Sequence, residues 1–123
     1  MMKKLKILAL TLMASLVIGG AADAATQWSS ATIYGGKSAT GKMISIYDGV
    51  SDFLGWNDVD SSALGVIAYA YQSLGPLLPD EIYDYEPMLP GDTFSRVIHP
   101  PTGQYYAKIS GYGTSWAGVS LSN

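Results

Sequence analysis

The sequence predicts an all-β fold, an antiparallel β-sandwich of Greek-key type, on three observations. All 14 aromatic residues, nine of them tyrosine, lie after residue 24 and supply strand formers throughout that stretch. The six prolines and 12 of the 14 glycines lie there too, dividing it into short segments separated by turn signals. The chain holds no cysteine, so a domain of this size must be held by a packed core rather than by disulfides.

The first residues have a different logic. Lys3, Lys4 and Lys6 precede an apolar stretch over 7–18, followed by Gly19, Gly20 and a run of small residues. That is the layout of a secretory signal peptide, with Ala22 and Ala24 supplying the A-x-A cleavage preference. The apolar stretch is shorter than the roughly 20 residues a spanning helix needs, so no membrane anchor is expected after cleavage. The reading is a signal peptide over 1–24 and one β-rich domain over 25–123, secreted or released to the periplasm.

Strands are expected over 27–34, 42–47, 64–73, 93–99, 104–110 and 115–121. Gly35-Gly36, Asp48-Gly49, Gly75-Pro76, Pro100-Pro101-Thr102-Gly103 and Gly111-Tyr112-Gly113 mark the turns between them. The last three strands read as a meander of hairpins. The tract Thr102-Gly103-Gln104-Tyr105-Tyr106-Ala107-Lys108-Ile109-Ser110-Gly111 resembles the closing hairpin of many exported bacterial β-sandwich modules. One segment supports two readings. Ile67, Tyr69 and Tyr71 alternate as in a strand, whereas Asp60-Ser61-Ser62 could cap a helix near 61–74, which would make the fold α+β. Between 75 and 92, four prolines and five acids with no basic residue read as a long connection, with a short edge strand over 82–85.

Without its leader the chain carries four basic residues (Lys37, Lys42, Arg96, Lys108) against nine acidic ones, a net charge of −5 with histidine neutral. Four scattered cations cannot neutralise a run of phosphates, so nucleic acid is not an expected partner. Gly36-Lys37-Ser38-Ala39-Thr40-Gly41-Lys42 matches the start of a phosphate-binding loop. Met43 stands where Ser or Thr must ligate Mg²⁺, and a strand follows where a helix is needed. The segment is read as a flexible hairpin loop. Gly113-Thr114-Ser115-Trp116-Ala117 approaches a nucleophile elbow, but no acid or histidine follows Ser115. The single histidine, His99, precedes two prolines at a turn, so most nucleophile and base pairings have no members.

Zinc lacks ligands here, which leaves calcium as the metal whose oxygen chemistry the chain offers. Asp58 and Asp60, or Asp80, Glu81 and Asp84, are the candidate ligands, although Ala63 and Tyr69 break the EF-hand pattern that Asp58 begins. Paired acids are also the minimum for glycoside hydrolysis. The aromatic residues carry the functional expectation. Tyr69 and Tyr71, and Tyr83 and Tyr85, are spaced by two and share a face if extended. Trp28 and Trp56 lie outside the strongest strands. Trp28, Trp56, Tyr83 and Tyr85 are therefore the candidate surface for a carbohydrate or protein partner. The reading is an exported, non-catalytic binding or structural module. The alternatives are a small secreted toxin, bacteriocin or enzyme inhibitor, and, more distantly, a secreted hydrolase using paired carboxylates.

Overall fold

A computed structural model describes residues 27–123; the expected signal peptide over 1–24 lies outside the described residues. Seven antiparallel strands form: β1 Trp28–Thr40, β2 Ile44–Ile46, β3 Ser51–Asn57, β4 Val66–Ser73, β5 Glu81–Met88, β6 Thr93–Ile98 and β7 Gly103–Ser122. No helix forms among the described residues, so the strand reading of 64–73 holds and the helical alternative does not.

The organising element is β7, 20 residues long. Along one of its edges runs β1, from Trp28 opposite Ser122 to Thr40 opposite Lys108, and β2 continues that edge opposite Gly103 to Tyr105. Along the other edge, β4 pairs with the first half of β7 and β3 with the second half. β5 lies outside β4, and β6 lies outside β3. The result is one curled sheet with two leaves, β5-β4-β7-β2 and β6-β3-β7-β1, through which the long strands β1 and β7 both pass.

Alternation along each strand decides which side is buried. Tyr105, Ala107, Ile109, Ala117, Val119 and Leu121 of β7 are all buried and share one face. They meet Ala31 and Ile33 of β1, Phe53 of β3 and Val66, Ala68 and Ala70 of β4 in a single core between the leaves. Two small residues complete the seam where β1 ends and β2 begins. The Ala107 N–H faces that gap and donates to the Ser29 hydroxyl at 2.9 Å, while the Gly41 N–H donates to the Ala107 carbonyl at 2.8 Å. A Cβ on Gly41 would lie 2.3 Å from Ser29 Oγ, so glycine is what lets the hydroxyl reach.

Four expectations are corrected here. The segment 104–121 is not a hairpin, because both halves pair with the same strand, β1, and the chain never reverses. Gly111-Tyr112-Gly113 is instead an excursion inside β7. Gly36 faces Ser115 and Ser38 faces Ser110, so one residue of β1 is spanned by four of β7, and Gly113 takes up the bend at φ +68°. β6 pairs with β3 rather than with β7. Residues 36–40 belong to β1 rather than to a flexible loop, and 81–88 is a full edge strand that tolerates Pro87 because only its β4 side is paired.

Candidate functional site

The outer face of the β5-β4-β7 leaf collects tyrosines. Residues of β4 that point away from the core are Ile67, Tyr69 and Tyr71, opposite Ser110, Lys108 and Tyr106 of β7. On the other side Tyr69 faces Tyr85 of β5. The rings form a continuous path. Tyr85 and Tyr69 have centroids 6.5 Å apart, Tyr69 and Tyr71 5.4 Å, and Tyr71 and Tyr106 5.3 Å with their planes parallel within 4°. Lys108 Nζ lies 5.6 Å from the Tyr71 ring centroid, within cation–π range. The Tyr106 hydroxyl donates to the Asp80 carboxylate.

The environment of these hydroxyls is partly dry. Burial pushes the Tyr69 phenol above its ordinary pKa, and Tyr71, Tyr112 and Tyr85 add to the effect, which puts Tyr112 within electrostatic reach of the row. Burial, and then the bond to the Asp80 carboxylate, pushes the Tyr106 phenol up to about 12. Both phenols are therefore neutral hydrogen-bonding groups at any physiological pH.

The four aromatic candidates separate. Tyr85 lies in the tyrosine row and is 55% exposed. Tyr83 does not join it. The register steps from Ala70 opposite Asp84 to Tyr71 opposite Ile82, so Tyr83 is the extra residue of a β-bulge and packs edge-on against the core ring of Tyr105 at 6.0 Å. The expectation that Tyr83 and Tyr85 share a face fails for that reason. Trp28 is half-buried on the outer face of the other leaf, opposite Ser122. Trp56 is on that leaf too but only 6% exposed, which corrects its reading as a surface aromatic; Gly118 opposite it leaves the indole room against the sheet. Tyr106, Tyr112 and Lys108 complete the tyrosine face and were not singled out in the sequence. Their signal is the alternation of Tyr106 and Lys108 opposite Tyr71 and Tyr69, which needs the register to be read.

The acidic candidates are engaged separately. Asp58 is fully buried, with one oxygen accepting the Asp60 N–H at 2.9 Å and the other unpartnered. Asp80 holds Tyr106. Asp84 and Glu86 point inward from β5 and receive the Arg96 guanidinium of β6, Nε to Asp84 at 3.1 Å and Nη1 to Glu86 at 2.7 Å. Glu81 is exposed at the start of β5, opposite Gln72. Among the described residues no group of three or more His, Asp or Glu side chains converges as a metal site, so Asp80, Glu81 and Asp84 do not assemble as one. His99 is exposed just beyond Ile98, which pairs with Ser51 near the Ser122 end of β7. Ser115 is buried seven residues back along β7, roughly 20 Å away at the rise of an extended strand. These two residues form no catalytic pair.

This arrangement defines an antiparallel β-sandwich domain with an aromatic outer face. No family model matches the chain, and no curated protein matches it in sequence. Solved structures do resemble it. The pre-peptidase C-terminal domain of a collagenase from Bacillus anthracis is 13% identical with a TM-score of 0.53, over 78% of this chain and 88% of that one. The K3 cleaved adhesin domain of Lys-gingipain from Porphyromonas gingivalis W83 is 11% identical with a TM-score of 0.49, over 76% of this chain and 72% of that one. At 13% identity the likeness to the first of these is one of fold alone.

Proposed function

We propose that the protein is an exported, non-catalytic binding module whose contact surface is the outer tyrosine face of the β5-β4-β7 leaf. One observation carries the reading. The core is complete on the inner face, yet Tyr69, Tyr71, Tyr85 and Tyr106 form a contiguous row on the outer one, with the Tyr85 ring exposed. Rings held by mutual packing lose little freedom on binding, and tyrosine offers apolar area and a hydrogen-bonding tip together. The leader-like opening of the chain supports export.

Two measurements test this. Protein recovered from the medium or periplasm should begin at Ala25 by intact mass; an intact Met1 on cytosolic material overturns the export. Purified protein should be retained on cell-envelope and extracellular polymer preparations, and Tyr69→Ser combined with Tyr85→Ser should reduce that retention at least tenfold. Equal retention of the variant overturns the tyrosine face as the contact surface.

A further inference from the structure

We infer that the ligand of the tyrosine face is a neutral glycan chain lying across the strands, a reading that rests on that face being the contact surface. Three features on this face select the ligand class. The first is the ring path itself, four contiguous phenols crossing β5, β4 and β7 with neighbouring centroids 5.3 to 6.5 Å apart. A saccharide presents an apolar C–H surface bounded by hydroxyls, and a row of amphipathic aromatics matches both parts.

The second feature is the rim. The same face carries Ser110 and Gln104 on β7, Ser38 and Thr40 on β1, and Ser73 on β4, at the register positions that flank the rings. These are short hydroxyl and amide groups that both donate and accept, as sugar hydroxyls require. Asp80 and Lys108 add one acceptor and one donor of greater strength. Asp80 already accepts the Tyr106 proton, which leaves the phenolic oxygen as an acceptor for a donor on the ligand.

The third feature is charge. Among the residues that the register places on this face, Lys108 is the one cation, and it is balanced by Asp80 beside Tyr106, while the 25–123 chain as a whole carries −5. A uronic-acid or sulfated polymer would be repelled by that field, and an anionic lipid surface would find no basic cluster to hold it. A neutral polymer meets no such penalty.

The test uses purified protein against cellulose, chitin, xylan and mannan as neutral probes, alginate and heparin as anionic ones, and collagen and fibrinogen as protein probes. At least one neutral polysaccharide should retain the protein, with little salt dependence. Tyr69→Ser with Tyr85→Ser should weaken that retention at least tenfold, and Trp28→Ala on the opposite leaf should leave it within twofold. If the double variant does not fold, Tyr85→Ser alone, on an exposed edge strand, carries the comparison, together with the ultraviolet difference spectrum of tyrosine on adding soluble oligosaccharide. Tyrosine-dependent retention on an anionic or protein probe but on no neutral polysaccharide overturns the glycan and leaves the contact face standing. Retention that ignores the tyrosines, or none on any probe, overturns both.

Discussion

Replacing Arg96 by methionine should lower the folding free energy by about 2 kcal/mol. The side chain leaves β6 on the inward face, level with Phe53, and crosses the open side of the sandwich to β5. There Nε and Nη2 donate to the two Asp84 oxygens, each at 3.1 Å, Nη1 donates to Glu86 at 2.7 Å, and Nη2 also reaches the Tyr85 carbonyl. The Asp84 bonds push the guanidinium above its ordinary pKa, against the lowering effect of burial. Its plane centre lies 5.3 and 5.1 Å from the Phe53 and Phe94 ring centroids. The three charged groups are each about a third exposed. Screening therefore limits the two ion pairs to about 1 kcal/mol together, and the two ring contacts add about 0.5 kcal/mol each at such exposure. Methionine keeps much of the aliphatic packing but leaves Asp84 and Glu86 side by side without a counter-charge. For a domain of this size about 2 kcal/mol corresponds to a fall of roughly 8 to 16 °C in Tm, read by thermal unfolding. Salt gives a sharper signature. Raising it should weaken the wild-type clasp but stabilise Arg96→Met by screening the two carboxylates. If Arg96→Met unfolds within about 0.5 kcal/mol of wild type, or if Asp84→Asn with Glu86→Gln is just as destabilising in its background as alone, the clasp does not join the leaves.

Gly55→Ala should cost about 1 to 3 kcal/mol in chemical denaturation, since a Cβ there would lie 2.6 Å from Phe94 Cε1 and 3.0 Å from the Gly118 carbonyl oxygen. A near-neutral result would mean that Phe94 is not fixed by the core. Ser29→Ala should cost about 1 to 3 kcal/mol, because the buried Ala107 N–H loses its acceptor at the gap between β1 and β2; faster hydrogen exchange at Ala107 is the local readout. Alkaline titration should show Tyr106 ionising near pH 12, well above the ordinary value of 10.0, and Asp80→Asn should lower that midpoint only in part because burial is the larger cause. With Tyr69, Tyr105 and Tyr106 all raised in the folded state, the unfolded chain releases these protons first. Stability is therefore steady below about pH 10 and falls as pH rises towards 12, which equilibrium unfolding across that range checks.

The architecture was legible wherever alternation was strong. In β4, Val66, Ala68 and Ala70 are buried while Ile67, Tyr69 and Tyr71 face out; that period of two is visible in the sequence, and pairing with β5 and β7 decides strand over helix. β3 lies outside the expected strands, and Asp52, Gly55 and Asn57 are residue types that strands disfavour. Each has a tertiary role instead: Gly55 admits the Phe94 ring, and Asn57 Nδ2 donates to the Met88 carbonyl at 3.0 Å in the interior. β5 was shortened by its prolines and acids, whose compatibility with an edge strand depends on knowing that nothing pairs beyond it. The continuity of β7 was hidden by the glycines at 111 and 113, since a bulge and a reversal call for the same residues. The Arg96 clasp left a trace, because Phe94, Arg96 and Ile98 share one face of a six-residue strand and so place a cation on the buried side. Its partners are 10 and 12 residues away on a strand of the other leaf, and only topology names them.

The bulge at Tyr83 explains how one acidic strand serves both faces of the leaf. Beyond it, towards Met88, β5 alternates strictly: Asp84, Glu86 and Met88 point inward, and Tyr85 and Pro87 point outward. Inward acids on an edge strand oppose pairing with another chain, and here they also supply both partners of Arg96. Without a bulge at this point, the period of two would carry Tyr83 outward beside Tyr85. Tyr105 would then lose the ring packed against its edge at 6.0 Å. Deleting Tyr83 should therefore disturb the core more than the tyrosine row, because Tyr85 keeps its register with Tyr69 through the pairs that follow. Replacing Tyr85 should do the reverse, removing an exposed ring and leaving both the clasp and the Tyr105 packing in place.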